Sequence, residues 1–381
     1  MRLMRLKAFS IDNSGWLSNV CSLISFEVSD MISVPTSFLL TNSLIVFLCR
    51  VLIRSSFVFT VMKLYPTKYR EIIFLTIVSE LSLFEIIMVA STDWDEGLAI
   101  SLGVKIKPNI KINYQGIRSG GGIQQHIEKT VYFAASDAPL TEDQARKAPN
   151  TLHIPITIGG VVPIYNIPGI SKGLKFTGEV LADIYLGKIT KWNDQKLAAV
   201  NPDVSLPDQK IVVVHRSDGS GTTFIWTSYL SNISLEWRKN VGKGTSVNWP
   251  VGIGGKGNDG VAALVQQTPY SIGYVEFTYA KKNNLAYGYM QNAAGEFIEP
   301  SIESFAKAAD YAVVTLPRGD ENWSKVSIVD SLAGDIQAMG AYPITSFSYI
   351  LVYKELNVLP NMNEAAARAL VEFLWWAIHD G

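Results

Sequence analysis

A chain of 381 residues with 48% hydrophobic content is long enough for two ordinary domains and a large core. Its formal net charge of −1 supplies no overall field to draw in nucleic acid or an anionic membrane, so any anion must be held by local donors. The four histidines, His126, His153, His215 and His379, have no metal-ligand spacing, so no metal and no cofactor is assigned. The two cysteines, Cys21 and Cys49, both lie near the N-terminus, which is compatible with an oxidising compartment.

Residues 1–91 differ in character from the rest, being rich in Ser, Leu, Ile, Val and Phe without a clear period. The run from Phe38 to Met62 is broken by Arg50 and Arg54, and that from Ile72 to Ala90 contains Glu80 and Glu85. A membrane span needs roughly twenty apolar residues with few charges, and neither run qualifies. Two readings stand. One is a degraded export signal, with Met62-Lys63-Leu64, then Ile72–Val78, then Met88-Val89-Ala90-Ser91 in the order of charged, apolar and cleavage regions. The other is that the segment is not native coding sequence. In either case no fold class is read from it.

From about Trp94 the text alternates between strand and helix. Lys107–Tyr114 alternates as a strand, and Ser119-Gly120-Gly121-Gly122 turns into a helix over Ile123–Thr130. Val131–Ala135 reads as a short buried strand, and Thr141-Glu142-Asp143-Gln144 as a capping box that opens a helix. His153–Ile167 is expected to be two strands broken at Gly159-Gly160. Leu174–Tyr185 is strand then helix, stopped at Gly187. Ile211–Val214 is a strand, followed by the glycine-punctuated stretch His215–Thr223 and a helix from Phe224. Further on, Val261–Gln267 is helical, Ser271–Val275 is a strand, residues 300–340 are helix and loop, Phe347–Tyr353 is a strand, and Glu364–Ile378 is a strong helix. The alternation predicts an α/β protein with mostly parallel sheets, whose ligands sit at strand carboxyl ends beside helix N-termini.

The loop Arg216–Thr222 concentrates the chemistry. A strand, a turn with Gly219 and Gly221, and a helix start aim free backbone N–H groups at one point. Ser220, Thr222 and Thr223 add hydroxyls, and Arg216 adds a permanently charged fork. That combination suits a small oxyanion. The plainer alternative is a helix capped by Ser220 with Arg216 paired to Asp218. Asp137 likewise has two readings: a cap for the Ala138-Pro139 turn, or an acceptor for the proton of a protonated oxyanion, which would repel an unprotonated one such as sulfate. Gly252–Gly257 matches G-x-G-x-x-G, but it follows Trp249-Pro250 rather than a hydrophobic strand and reads as a structural loop. Gly169-Ile170-Ser171-Lys172-Gly173 matches G-x-S-x-G away from a strand-to-helix elbow. It leaves a hydrolase using Ser171 or Ser220, with His215 as base, as an alternative.

Several stretches carry a family resemblance: Asn113–Ile117, Ala135-Ser136-Asp137-Ala138-Pro139-Leu140, Ile158–Val162, Asp183–Ile189, Lys191–Asp194, Arg216–Thr222, Gly254–Gly260 and Ile272–Glu276. From about Ile112 to Gly381 the chain resembles the periplasmic phosphate-binding protein of the high-affinity phosphate ABC transporter. The resemblance implies an α/β, two-lobe type II periplasmic binding protein fold, with lobe I at 92–166 plus 343–381 and lobe II at 167–342. It implies a non-enzymatic, monomeric receptor in the periplasm that binds inorganic phosphate between the lobes. The receptor would deliver phosphate to the permease and ATPase subunits of the transporter, with no nucleic acid involved. By position the phosphate ligands carry over to Ser119, Asp137, Arg216, Ser220, Gly221 and Thr222, with Asp218 as the partner of Arg216. The departures are an atypical N-terminal segment in place of the family's Gly-Ala-rich loop, Arg118 where the family has glycine, Tyr132 where it often has an acid, and a truncated C-terminus. They leave a receptor remnant that binds nothing as a further alternative.

Overall fold

The computed structural model describes residues 84–90 and 110–379, apart from 314–315, 318–320 and 325. Chain contacts divide at Val78/Ser79, and all described residues belong to the unit Ser79–Gly381. Of the export-signal reading over Met62–Ser91, all but 84–90 lies outside the described residues. Within the atypical segment 1–91, from which no fold class is read, lies a strand: β1, Phe84–Ala90, runs parallel to β2, Ile110–Gly116, and to β3, Phe133–Ser136. Cleavage at Ser91 would take β1 out from between its two neighbours.

Helix α1, Arg118–Ile127, follows β2, and the capping box is present at α2, Glu142–Lys147, where Thr141 and Gln144 exchange side-chain bonds. Ser119–Gly122 are the first turns of α1 rather than a loop ahead of it. β4, Thr151–Asn166, is one continuous strand rather than two. Next come β5, Lys175–Phe176, α3, Gly178–Tyr185, α4, Gln195–Ala199, β6, Val212–Arg216, α5, Gly221–Ile233, and α6, Leu235–Asn240. They are followed by β7, Ile253–Gly255, α7, Gly257–Gln267, β8, Ser271–Glu276, α8, Phe277–Lys282, and the short strands β9, Ala286–Tyr287, β10, Tyr289–Gln291, and β11, Phe297–Ile298. Helices α9, Ile302–Val313, and α10, Ile328–Leu332, precede β12, Thr345–Tyr353, and the closing helix α11, Glu364–His379.

The main strand order is β2-β1-β3-β12-β4-β8-β6-β7. It is mixed rather than mostly parallel, because β12 runs antiparallel to β3 and β4, and β4 antiparallel to β8. The predicted break at Gly159-Gly160 marks a change of partner. Residues up to Gly160 pair with β12, and those from Val161 onward pair with β8. The half from Gly160 to Tyr165 is buried throughout, whereas Thr151–Gly159 is mostly half-buried.

Side-chain alternation sorts β3 and β12 onto two faces. Ala134, Leu351 and Tyr353 join a core with Ile123, Ala308 and Leu332. Phe133, Ala135, Ile350 and Val352 join another with Leu370 and Phe373 of α11. With helices on both faces, these strands read as continuous hydrophobic runs. A third and larger core surrounds β6, β8 and α5, with Trp192, Trp226 and Tyr274 fully buried in it.

Candidate oxyanion-binding site

At the carboxyl end of β6, the Ser217-Asp218-Gly219 turn leads to Ser220, whose backbone is extended and whose hydroxyl accepts from Thr223 N–H at 3.1 Å. Ser220 is thus the N-cap of α5, a helix of 13 residues, and the first N–H groups of such a helix have no acceptor within it. The dipole of α5 adds partial positive charge at Gly221 and Thr222. Arg216 is buried, and its fork grips Asp218 through Nε to Oδ1 at 2.8 Å and Nη2 to Oδ2 at 2.7 Å. Its Nη1 donates to Asn258 Oδ1 at 3.2 Å and Thr222 Oγ1 at 3.4 Å. Asp218 also accepts from Gly257 N–H at 3.1 Å. Burial pushes its carboxyl up, but the bonds and charge of Arg216 outweigh that and hold it below the usual carboxylate range. The plainer reading of this loop and the oxyanion reading describe the same atoms. The cap and the ion pair fix the guanidinium and the helix start in place.

Ser119 and Asp137 come from the other side, at the start of α1 and the end of β3. Asp137 N–H donates to Ser119 Oγ at 3.2 Å, and Ser348 Oγ on β12 donates to Asp137 Oδ1 at 2.6 Å. Burial pushes the Asp137 carboxyl up, while the Ser348 bond and the Arg216 charge pull the other way without cancelling it. The Ala138-Pro139 turn is held by Ser136, whose hydroxyl accepts from Ala138 N–H at 3.0 Å and donates to Ala138 O at 2.7 Å. Asp137 is therefore not needed as its cap.

Gly221 brings the two sides together. A Cβ there would come within 2.5 Å of Ser119 Oγ and 2.8 Å of Asp137 Oδ2, so only glycine permits this approach. Gly120 N–H donates to Gly219 O at 3.0 Å alongside. The adjoining cavity, of about 260 Å³, is lined among others by Asp137, Thr157, Thr222, Glu276, Ser346 and Ser348.

All seven residues singled out from the sequence, Ser119, Asp137, Arg216, Asp218, Ser220, Gly221 and Thr222, gather here. Ser348, Asn258 and Tyr274, whose hydroxyl accepts from Arg216 N–H at 3.2 Å, were not foreseen. Asn258 and Tyr274 lie within the family-like stretches Gly254–Gly260 and Ile272–Glu276, whereas Ser348 carries no local signal beyond a hydroxyl in a buried strand. Two details correct the sequence reading. The Gly252–Gly257 stretch does form strand and helix, since β7 runs parallel to β6 and α7 starts at Gly257. Its glycine N–H is spent on Asp218. Arg118 sits at φ 71°, the left-handed region that favours the glycine expected there, and its Nη2 pairs with Asp259 at 3.0 Å.

The hydrolase alternative finds no geometry. Ser220 Oγ is buried and serves as a helix cap, and His215 stacks on Trp249 at 4.8 Å between centroids with Nδ1 beside Arg216 O. Ser171 lies exposed just after the Pro168-Gly169 turn, its carbonyl accepting from Tyr165 OH.

A mixed α/β chain with crossing strands and a site walled by strand ends and helix N-termini has the build of a type II periplasmic binding protein. Residues 79–378 match the model of the PBP superfamily domain. The phosphate-binding protein PstS of Pasteurella multocida is 47% identical over 272 residues, covering 71% of this chain and 75% of that protein. The namesake from Methanocaldococcus jannaschii is 39% identical over 289 residues, 73% of each chain. A solved structure, a high-affinity periplasmic phosphate-binding protein bound with phosphate, overlays with a TM-score of 0.52 at 18% identity, covering 70% of this chain and 80% of that one, and shows the common fold. The chain belongs to the PstS family of phosphate-binding proteins within that superfamily.

Proposed function

We propose that this chain is the receptor of a phosphate importer, binding inorganic phosphate in the cleft and delivering it to the permease and ATPase subunits. Family membership at 47% identity supports this, and so does the local chemistry. In this reading the N–H groups of Gly221 and Thr222, the hydroxyls of Ser119, Ser220 and Thr222, and the Arg216 fork hold the phosphate oxygens. Asp137 accepts the proton that hydrogen phosphate carries near neutral pH. The observation that carries the reading is a buried carboxylate, Asp137, set against a buried guanidinium and a helix N-terminus. An anion site of donors alone would take sulfate equally well. Arg216 is already paired with Asp218, so the ligand is held by dipoles and hydrogen bonds rather than by net charge.

The lobes are drawn at 92–166 plus 343–381 and 167–342, so that phosphate sits between them. The receptor acts as a monomer, without catalysis, in the periplasm. Among the described residues no helix is long and apolar enough to cross a membrane. Calorimetric titration with phosphate tests the reading. Arg216→Ala removes the fork and leaves the half-buried Asp218 without its ion-pair partner, so phosphate affinity is expected to fall by about 3 kcal/mol or more, hydrogen bonds to charged groups being worth roughly 1.5–3 each. Equal affinities would remove Arg216 from the site, and a wild-type chain without phosphate heat would be a receptor remnant.

A further inference from the structure

Register places Ser348 beside Asp137 as its cross-strand neighbour. Tyr349 pairs with Ser136 and Ile350 with Ala135, and one step further along the ladder lies Ser348 against Asp137. The two are 211 positions apart in the chain, and the hydroxyl donates to Oδ1 at 2.6 Å. Along the same face of β12, Ile350 and Val352 pack against Phe373 and Leu370 of α11, so an apolar side chain would suit position 348 as far as the core is concerned. Ser346 and Ser348 stand instead where that face meets the cavity, and both are buried. The β12–β4 ladder slips by one residue between Ser348 and Tyr349, opposite Pro155, a place where proline's missing N–H is tolerated.

We propose that Ser348 is a specificity-determining residue of the site: by occupying Oδ1 of Asp137 it leaves Oδ2, the oxygen nearest Gly221, as the acceptor for a protonated oxyanion. This rests on the phosphate reading of the site. The carboxylate serves as acceptor only while it is ionised, and burial works against ionisation. The charged groups facing it are the Arg216 guanidinium, with Asp218 bound behind it, and Glu276 across the cavity. Arg216 is shared with Asp218, so the Ser348 hydroxyl is the dedicated support of the ionised form. Without it Asp137 takes up a proton more readily and becomes a donor, which an unprotonated anion such as sulfate can use.

The test compares wild type, Ser348→Ala and Ser348→Thr by calorimetric titration with phosphate and with sulfate between pH 5 and 8. The loss of one charge-assisted bond in Ser348→Ala is expected to lower the phosphate-to-sulfate affinity ratio about tenfold and to move the acid limb of phosphate binding to higher pH. Ser348→Thr keeps a hydroxyl on the same carbon and should restore both. Carbon-13 titration of the Asp137 carboxyl without any anion gives a second readout, its midpoint rising in Ser348→Ala but not in Ser348→Thr. An unchanged ratio and midpoint in a wild-type background that binds phosphate overturns the role of Ser348 alone. A wild-type chain that takes no phosphate overturns the underlying reading and this one with it.

Discussion

Asp137 is an acceptor among donors, and its exchange for asparagine isolates that role. The substitution keeps the shape, replaces an acceptor oxygen with an NH₂ group and removes a charge. In the phosphate reading proposed above, sulfate, which offers only acceptors, is repelled at this oxygen in the wild type. An unsatisfied buried polar contact costs roughly 1–3 kcal/mol, so Asp137→Asn should narrow the phosphate-to-sulfate ratio by about tenfold or more while phosphate still binds. Competition titrations at neutral pH check this, and an unchanged ratio would place Asp137 outside ligand contact. Arg216, Asp218, Ser220 and the glycines are readable from local sequence, as an Arg and Asp two apart, a serine ahead of a helix and glycines where backbone meets backbone, whereas Ser119 comes only from the family resemblance. Ser348 is not readable there, because its meaning lies in a strand pairing across 211 positions.

At the scale of elements, β4 carries the tightest constraint. Its change of partner falls at Gly160, where an added Cβ would lie 2.1 Å from the Phe305 ring. Phe305 is buried and stacks edge-on with Phe277 and Tyr342, so it has little room to retreat. Gly160→Ala is therefore an overpacking change expected to cost about 1–3 kcal/mol, read as a lowered urea midpoint with an unaltered slope. A midpoint equal to wild type would mean that the ring moves freely. The helices and most strands were legible from periodicity and caps, as in α2, α11 and β6. The glycine pair in β4 was read as a break because glycine weakens strands, and local text does not reveal that α9 lays Phe305 over one of them. The mixed direction of the sheet was equally hidden, since antiparallel β12 pairs with strands made long before it.

For the molecule as a whole, two buried histidines tie stability to acid. His126 and His153 are buried, and burial lowers each to about 4, with the neighbouring His153 contributing further to His126. Their bonding explains the preference for the neutral rings. Thr151 gives its hydroxyl proton to Ala148 O and so accepts from His126 Nε2, while His153 Nε2 accepts from Leu140 N–H at 3.0 Å. A second proton would sit on His126 Nδ1, which is buried without a partner, or on His153 Nε2 against another donor. The unfolded chain binds these protons near pH 6.5 and the folded chain only near 4, so stability is complete above pH 6.5 and is lost as pH falls toward 4. At pH 5 the expected loss is about 2 kcal/mol per ring, seen as a lower urea midpoint than at pH 7. His153→Gln, which keeps an acceptor for Leu140, should remove about half of that pH dependence.

The position of β12 has a consequence for how the chain is made. β3 and β4 leave the ribosome early, but the strand that lies between them comes almost last, with Tyr353 pairing back to Thr151. During synthesis β3 and β4 must wait for their common neighbour, a non-local pairing of the kind that slows folding. Translation halted before Thr345 leaves both strands unjoined and Asp137 without the hydroxyl that grips it. The Ser348–Asp137 pair is thus assembled only in chains translated past Ser348, so the pocket lining at Asp137 is completed among the last steps of synthesis.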